Sequence, residues 1–270
     1  MRLRTTPRSA VLVGLVLLAT AACSGGGGKT DGPTASASSK SLKEKTPQQL
    51  VDTVQATFRT VESLRLEGSL YENGTEIGVD LTVGGEGRCT GEISVGGAGS
   101  VELIGSGETL WFKPDLQYAA ALVANLPTAE AARFTSRLGG TRYLELPKTH
   151  PLVKELSAYC DRAGVKNLLE EGFLPGEELT AGPAGTVNGQ ETVSYRYTST
   201  DDSGTTVTTT VHVSVKGLLP VQVEDRSRGT SSRLTFTGYD EPVRVTRPDT
   251  DRIVPVAEVQ KTLDLATPGA

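Results

Sequence analysis

Three cysteines (Cys23, Cys89, Cys160) and two histidines (His150, His212) have the widest reactive repertoire among these 270 residues. Their spacing excludes most of that repertoire. Two cysteines and two distant histidines do not make a zinc-ligand pattern, so no metal is expected. No serine sits in Gly-x-Ser-x-Gly and no lysine completes Ser-x-x-Lys. Neither His-Glu-x-x-His nor a Walker loop occurs. His212 falls on the polar face of a strand and reads as a solvated histidine. His150, before Pro151, reads as a helix-start residue. Asp201-Asp202 beside Ser203-Gly204 reads as a hairpin tip, because one acidic pair supplies too few oxygens for calcium. Glu170-Glu171 and Glu177-Glu178 read as solvated charge. The expectation is a non-enzymatic chain with no catalytic residue and no cofactor.

Lipidation and disulfide formation are the cysteine chemistry that remains. Arg2, Arg4 and Arg8 precede an apolar run of 13 residues from Ala10 to Ala22, and Cys23 follows it. A basic segment, a short apolar segment and small residues before a cut site make a secretory signal. Leu18-Ala19-Thr20-Ala21-Ala22-Cys23 resembles a bacterial lipobox, with Thr20 where Leu is commonest. At such a site the Cys sulfur is acylated (palmitate is typical) and the chain is cut before it. The alternative is an ordinary secretory signal that happens to end on Cys. A spanning helix needs about 17–25 residues, so the run is too short to be one. Cys89 and Cys160 then remain as an even pair in an exported chain, which suggests a disulfide. Two buried free thiols are the other reading.

Loss of residues 1–22 removes three arginines and no acids, leaving 24 basic against 32 acidic residues, a net charge of −8. Anionic headgroups and nucleic acid would repel such a surface. Membrane contact therefore falls to the acyl anchor, on the extracytoplasmic face of the cell membrane, and no nucleic-acid partner is expected. Residues 23–45 read as a flexible Ser/Thr/Ala/Lys tether with a reach of roughly 25 Å. Residues 46–246 read as the folded domain and 247–270 as an irregular tail with a short helix near Val256–Leu263.

The elements come from periodicity. Thr46-Pro47-Gln48-Gln49 is a capping box, and Val51, Val54, Phe58 and Val61 share a helix face over 47–61. Alternating segments follow around Leu64–Leu70, Ile77–Val83, Ile93–Val95, Val101–Leu103 and Leu110–Phe112, separated by Gly-rich turns such as Glu72-Asn73-Gly74. Trp111 alternates with Leu110 and Phe112; it either points outward as a partner or ligand surface or packs under a loop. Residues 115–126, 128–138, 151–159 and 165–171 read as helices, with Leu116, Ala119, Ala120 and Val123 on one face. A strand is expected over 141–146. Strands return over 179–186, 191–200, 206–215, 219–225 and 231–237. In the clearest, Val207, Val211, Val213 and Val215 point inward. No polar cluster is found on the inward face.

Three stretches carry a resemblance. They are Leu64-Arg65-Leu66-Glu67-Gly68-Ser69-Leu70, Thr186-Val187-Asn188-Gly189-Gln190-Glu191-Thr192, and Val211-His212-Val213-Ser214-Val215 through Lys216-Gly217-Leu218-Leu219-Pro220-Val221. Together with the lipobox and strand order, they resemble the LppX/LprA/LprF/LprG-type lipoproteins of actinobacteria and, more distantly, the LolA/LolB carriers. The resemblance implies an α+β, LolA-like fold: a curved antiparallel half-barrel of about ten strands with helices covering its concave face. It further implies an apolar cavity between sheet and helices, and lipid binding or transport. The sheet-facing residues Leu64, Leu66, Ile77, Val79, Leu81, Leu103, Leu110, Phe112, Val123, Val211, Val213 and Phe236 would line it. With aromatics at 5% of the chain, any such pocket would be modest. The Cys89–Cys160 pair is not part of the family pattern and would tie the first sheet half to the helical cover. The alternative is a filled core, making the protein an anchored envelope adaptor or sensor with a protein-binding surface. The expected partners are a lipid or lipidated molecule and an envelope protein, and the expected state is a monomer.

Overall fold

Period-two alternation in a computed structural model of the chain becomes one large, unclosed antiparallel sheet. Residues 42, 44–72, 74–165, 178–200, 204–227 and 229–262 are described. The expected signal segment, Cys23, the expected tether up to Ser41, Asn73, residues 166–171 of an expected helix, Glu177 and Asp201-Asp202-Ser203 lie outside them. In chain order the elements are α1 (Pro47–Thr60), β1 (Ser63–Glu72), β2 (Thr75–Gly84), β3 (Cys89–Val95), β4 (Gly99–Ser106), β5 (Thr109–Pro114), α2 (Leu116–Leu122) and α3 (Thr128–Leu138). Then come β6 (Tyr143–Pro147), α4 (Pro151–Tyr159), β7 (Glu178–Ala181), β8 (Gly185–Val187), β9 (Gln190–Thr200), β10 (Thr206–Ser214), β11 (Pro220–Ser227), β12 (Thr230–Thr237) and β13 (Ile253–Val254). The sheet is 13-stranded, in the order β13-β6-β5-β4-β3-β2-β1-β12-β11-β10-β9-β7, with β8 also on β9. The strands beyond the expected ten have local causes. The 179–186 segment splits into β7 and β8 around Pro183, which has no N–H to give a ladder. The expected 141–146 strand joins as β6, and Ile253–Val254 adds to it in parallel.

Opposed residues of an antiparallel pair share a face, so the register defines which side chains meet. One row runs Leu144, Phe112, Leu103, Gly91, Leu81, Leu66, Phe236, each opposite the next. A second runs Leu234, Val223, Val211, Tyr195. These rows are the concave face. Glycine lets it curl. A Cβ on Gly68 (φ +147°) would lie 2.0 Å from the Arg233 carbonyl oxygen, and one on Gly91 (φ +147°) 2.0 Å from that of Asp80. The neighbouring strand therefore crosses β1 and β3 at a closeness that only a residue without a side chain permits.

The helices cover this face. α1 begins with the expected capping box: Thr46 accepts from the Gln49 N–H and the Gln49 side chain accepts from the Thr46 N–H. It buries Leu50, Val51, Val54 and Phe58 and lies along β7 and β9. The Phe58 ring meets Tyr239 edge-on at 6.4 Å, and the Tyr239 hydroxyl donates to the Pro220 carbonyl at 2.7 Å. α2 is shorter than expected. Asp115 caps it, accepting from the Tyr118 N–H at 2.6 Å. Ala119 and Val123 are buried as expected, but Leu116 and Ala120 point to solvent, Leu116 being 59% exposed. α3 ends on Gly139 in the left-handed conformation and buries Phe134 and Leu138.

The segment after Thr246 is not irregular throughout. Val254 and Val259 are buried in the common core. Arg247 binds Glu145 at 2.9 Å, and Arg137 pairs with Glu258.

Gly68→Ala is expected to lower stability by about 3 kcal/mol, the upper end of backbone strain. Gly97→Ala, with φ +76° but nothing within 4 Å of its Cβ, should cost about 1 kcal/mol. Denaturant unfolding of the two variants measures the difference; equal losses would remove the close crossing from the explanation.

Candidate ligand-binding interior

The twelve residues expected to face the interior lie in one contiguous apolar cluster on and above the concave face. Eleven of them are at most 6% exposed, and Ile77 is partly buried against the cluster. Val123, at the end of α2, is the one that the helices contribute. Beside Phe236, a cleft of 400 Å³ opens between Leu219, Pro220, Gly238 and Tyr239.

The expectation of a wholly apolar interior is corrected by one row. Tyr197 lies opposite Thr209, Thr209 opposite Asp225, and Asp225 opposite Ser232. Since Tyr195 faces Val211 and Val211 faces Val223, this row belongs to the concave face. The Thr209 hydroxyl donates to Asp225 Oδ1 at 2.6 Å. Burial raises the Asp225 carboxyl above its ordinary value, against the pull of that hydrogen bond. The Tyr197 phenol is pushed up to about 12, mainly by burial, with Thr209 opposing the rise and Asp225 adding to it. Tyr195 is wholly buried, and its hydroxyl has no hydrogen-bond partner among the described residues. Burial, then the neighbouring Tyr197, raises its phenol further. Sequence reasoning missed the group because only valines were picked out of β10. The usable signal was phase: Thr209 is two residues from Val211, and Asp225 two from Val223.

The disulfide expected between the paired cysteines is present. Cys89, at the start of β3, is bonded to Cys160, just after α4, with Cα atoms 5.1 Å apart and a separation of 71 residues. It fixes α4 to the first half of the sheet. Trp111 does not form an exposed surface. It is 7% exposed on the outer face of β5 and donates from Nε1 to Glu145 Oε2 at 2.9 Å. Arg247 holds the same carboxylate. His150 caps α4, its Nδ1 accepting from the Leu152 N–H at 3.2 Å. His212 is on the outer face; burial lowers its pKa, with Glu224 opposing and Arg196 and Arg233 assisting. The outer face also carries Glu102, bound by Lys113 and by the Tyr143 hydroxyl. Burial pushes that carboxyl up, and the two partners more than offset it, holding it below its ordinary value.

No protein-family model matches the chain, and no curated protein matches it in sequence. Among solved structures, LprF from Mycobacterium bovis is similar with a TM-score of 0.50 and 13% identity, over 75% of this chain and 96% of that one. The chain has an LprF-type fold. The lipoprotein LppX from Mycobacterium tuberculosis is similar at a TM-score of 0.47 and 14% identity, over 74% of this chain and 98% of that one. The curved, unclosed sheet with helices on its concave side is thus the architecture that the three sequence stretches implied. Among the described residues of this LprF-type fold, no helix is long and apolar enough to cross a membrane.

Tyr195→Phe removes a buried hydroxyl that bonds nothing among the described residues, so it is expected to raise stability by about 1 kcal/mol. Thermal and denaturant unfolding measure this; a loss above 1 kcal/mol would mean that the hydroxyl is satisfied. Replacing both Cys89 and Cys160 by Ala should cost roughly 4 kcal/mol, the loop-closure value for this separation. Intact mass should rise by one pair of hydrogens on reduction, and an unchanged mass would remove the bond.

Proposed function

We propose that the protein is a membrane-anchored envelope lipoprotein that binds or carries lipid acyl chains between its concave sheet and the covering helices. The observation that carries this reading is the continuous apolar row from Leu144 to Phe236 beneath the covering helices, on an LprF-type fold. Each methylene taken out of water contributes about 0.8 kcal/mol, so two long chains would supply tight capture without covalent chemistry. The sheet-facing residues, Leu66, Leu81, Leu103, Phe112, Val211 and Val213 central among them, would wall the chains. Cys23 would be acylated and become the first residue of the mature chain. Residues 23–45 would let the domain, as a monomer, work near the extracytoplasmic face of the membrane. The role is binding, not catalysis.

A second reading is favoured by how completely the same residues are buried. Eleven at no more than 6% exposure suit a filled core as well as a closed cavity. The protein would then be an anchored adaptor or sensor that presents its outer face to an envelope protein.

Purification from the native host followed by lipid mass spectrometry separates the two. Stoichiometric co-purified lipid is expected. A lipid-free protein that also fails to take up added acyl probes ends the carrier reading. Val213→Trp should expel lipid from a folded protein if a cavity exists, and should unfold the protein if the core is filled.

A further inference from the structure

We infer that Tyr195, Tyr197, Thr209 and Asp225 form a site for a primary ammonium group at the polar end of a bound amphiphile. This deepens the lipid-binding reading and rests on it. The site is built into the sheet. Tyr197, Thr209 and Asp225 are in register on three adjacent strands, and Tyr195 stands one row deeper, opposite Val211. Tyr197 raises the Tyr195 phenol and Asp225 raises the Tyr197 phenol, so each pair lies within electrostatic reach.

Two unmet needs point to the ligand. The first is the Tyr195 hydroxyl, buried without a partner among the described residues. The second is the charge of Asp225. It makes no ion pair among the described residues, and Thr209 is the donor recorded on its carboxyl. The arginines beside it in the sheet, Arg226 and Arg233, bind Glu224 on the opposite face at 3.2 and 3.0 Å. A half-buried carboxylate without a cation is costly, and a ligand that brings the cation removes the cost.

The donor count selects the cation. A primary ammonium has three N–H donors. The site offers three acceptors for them: the Asp225 carboxylate and the two phenol oxygens. The aromatic faces add cation–π attraction. An alcohol would bring one donor and no charge. A quaternary ammonium would bring charge and no N–H. A carboxylate would meet Asp225 with like charge. The place also fits an amphiphile. Val223 and Leu234 beside the row are only partly buried, so the ammonium would sit toward the open end with its alkyl chain running inward past Val211.

The test uses the full-length chain carrying Cys23→Ser, titrated calorimetrically near neutral pH with dodecylamine, dodecanol and dodecyltrimethylammonium. Dodecylamine, protonated there, should bind at least ten-fold more tightly than either of the others. Asp225→Asn should abolish that preference, and Tyr195→Phe should reduce it several-fold with the fold intact by circular dichroism. Glu92→Gln, which removes an exposed outer-face charge, should leave it unchanged. Equal binding of dodecylamine and dodecanol, or an undiminished preference in Tyr195→Phe, overturns the ammonium site while the lipid-binding reading stands. An equal loss in Glu92→Gln would reduce the effect to net charge and also overturn it. If none of the three amphiphiles binds, the lipid-binding reading falls and this inference with it.

Discussion

The pairing of β1 with β12 is the constraint on which the interior depends. β2 to β6 form one run of neighbours and β7 to β12 another, and β1 hydrogen-bonds to both runs. Leu66 stands opposite Leu81 on one side and Phe236 on the other, so one residue carries the phase of alternation from the first half to the second. A slip of one residue along this seam would turn the second half inside out, placing Arg233 and Thr235 where Leu234 and Phe236 belong. The contact joins strands far apart in the chain, so its entropy of closure is met before the concave face exists. α1 and Tyr239 can pack only once that has happened, since Phe58 rests on a residue that follows β12.

The same phase rule explains how an apolar interior comes to hold polar groups. Once Val211 and Val223 are committed inward, Thr209 and Asp225 follow, because side chains two apart on a strand share a face. Such groups would be cheap to replace by valine if they had no task. Their hydrogen bond satisfies part of the need, and the remainder is concentrated at Asp225 and the Tyr195 hydroxyl. The interior is thus asymmetric: hydrocarbon over β2 to β6, and hydrocarbon with a polar margin over β9 to β11.

Much of this was legible in the sequence. The capping box at Thr46, the helix-start role of His150, the inward valines of β10 and the paired cysteines were readable because each rests on local spacing. So was the fold class, from alternating segments at short intervals and from three short stretches. What was not legible depended on distant partners. Leu116 sits on the apolar phase of its helix, yet its end of α2 meets solvent. Trp111 reads either as an outward surface or as a residue packed under a loop, and only the return of Arg247 to Glu145 shows what lies over it. Ile253–Val254 is too short to signal a strand and becomes one because β6 is there to receive it. The inward phase of Thr209 and Asp225 was readable, but their alignment with Tyr197 required the register of three strands.

That late two-residue strand has a consequence for how the molecule behaves among its neighbours. Without it, β6 would end the sheet with a row of open N–H and C=O groups flanked by Tyr143, Leu144 and Leu146, a ready template for another chain's backbone. Ile253 and Val254 occupy those groups, and Pro255 follows directly, with no N–H to continue the ladder. Ile253–Val254 thereby acts as a selvedge, finishing the sheet so that copies of the chain do not stitch together along it.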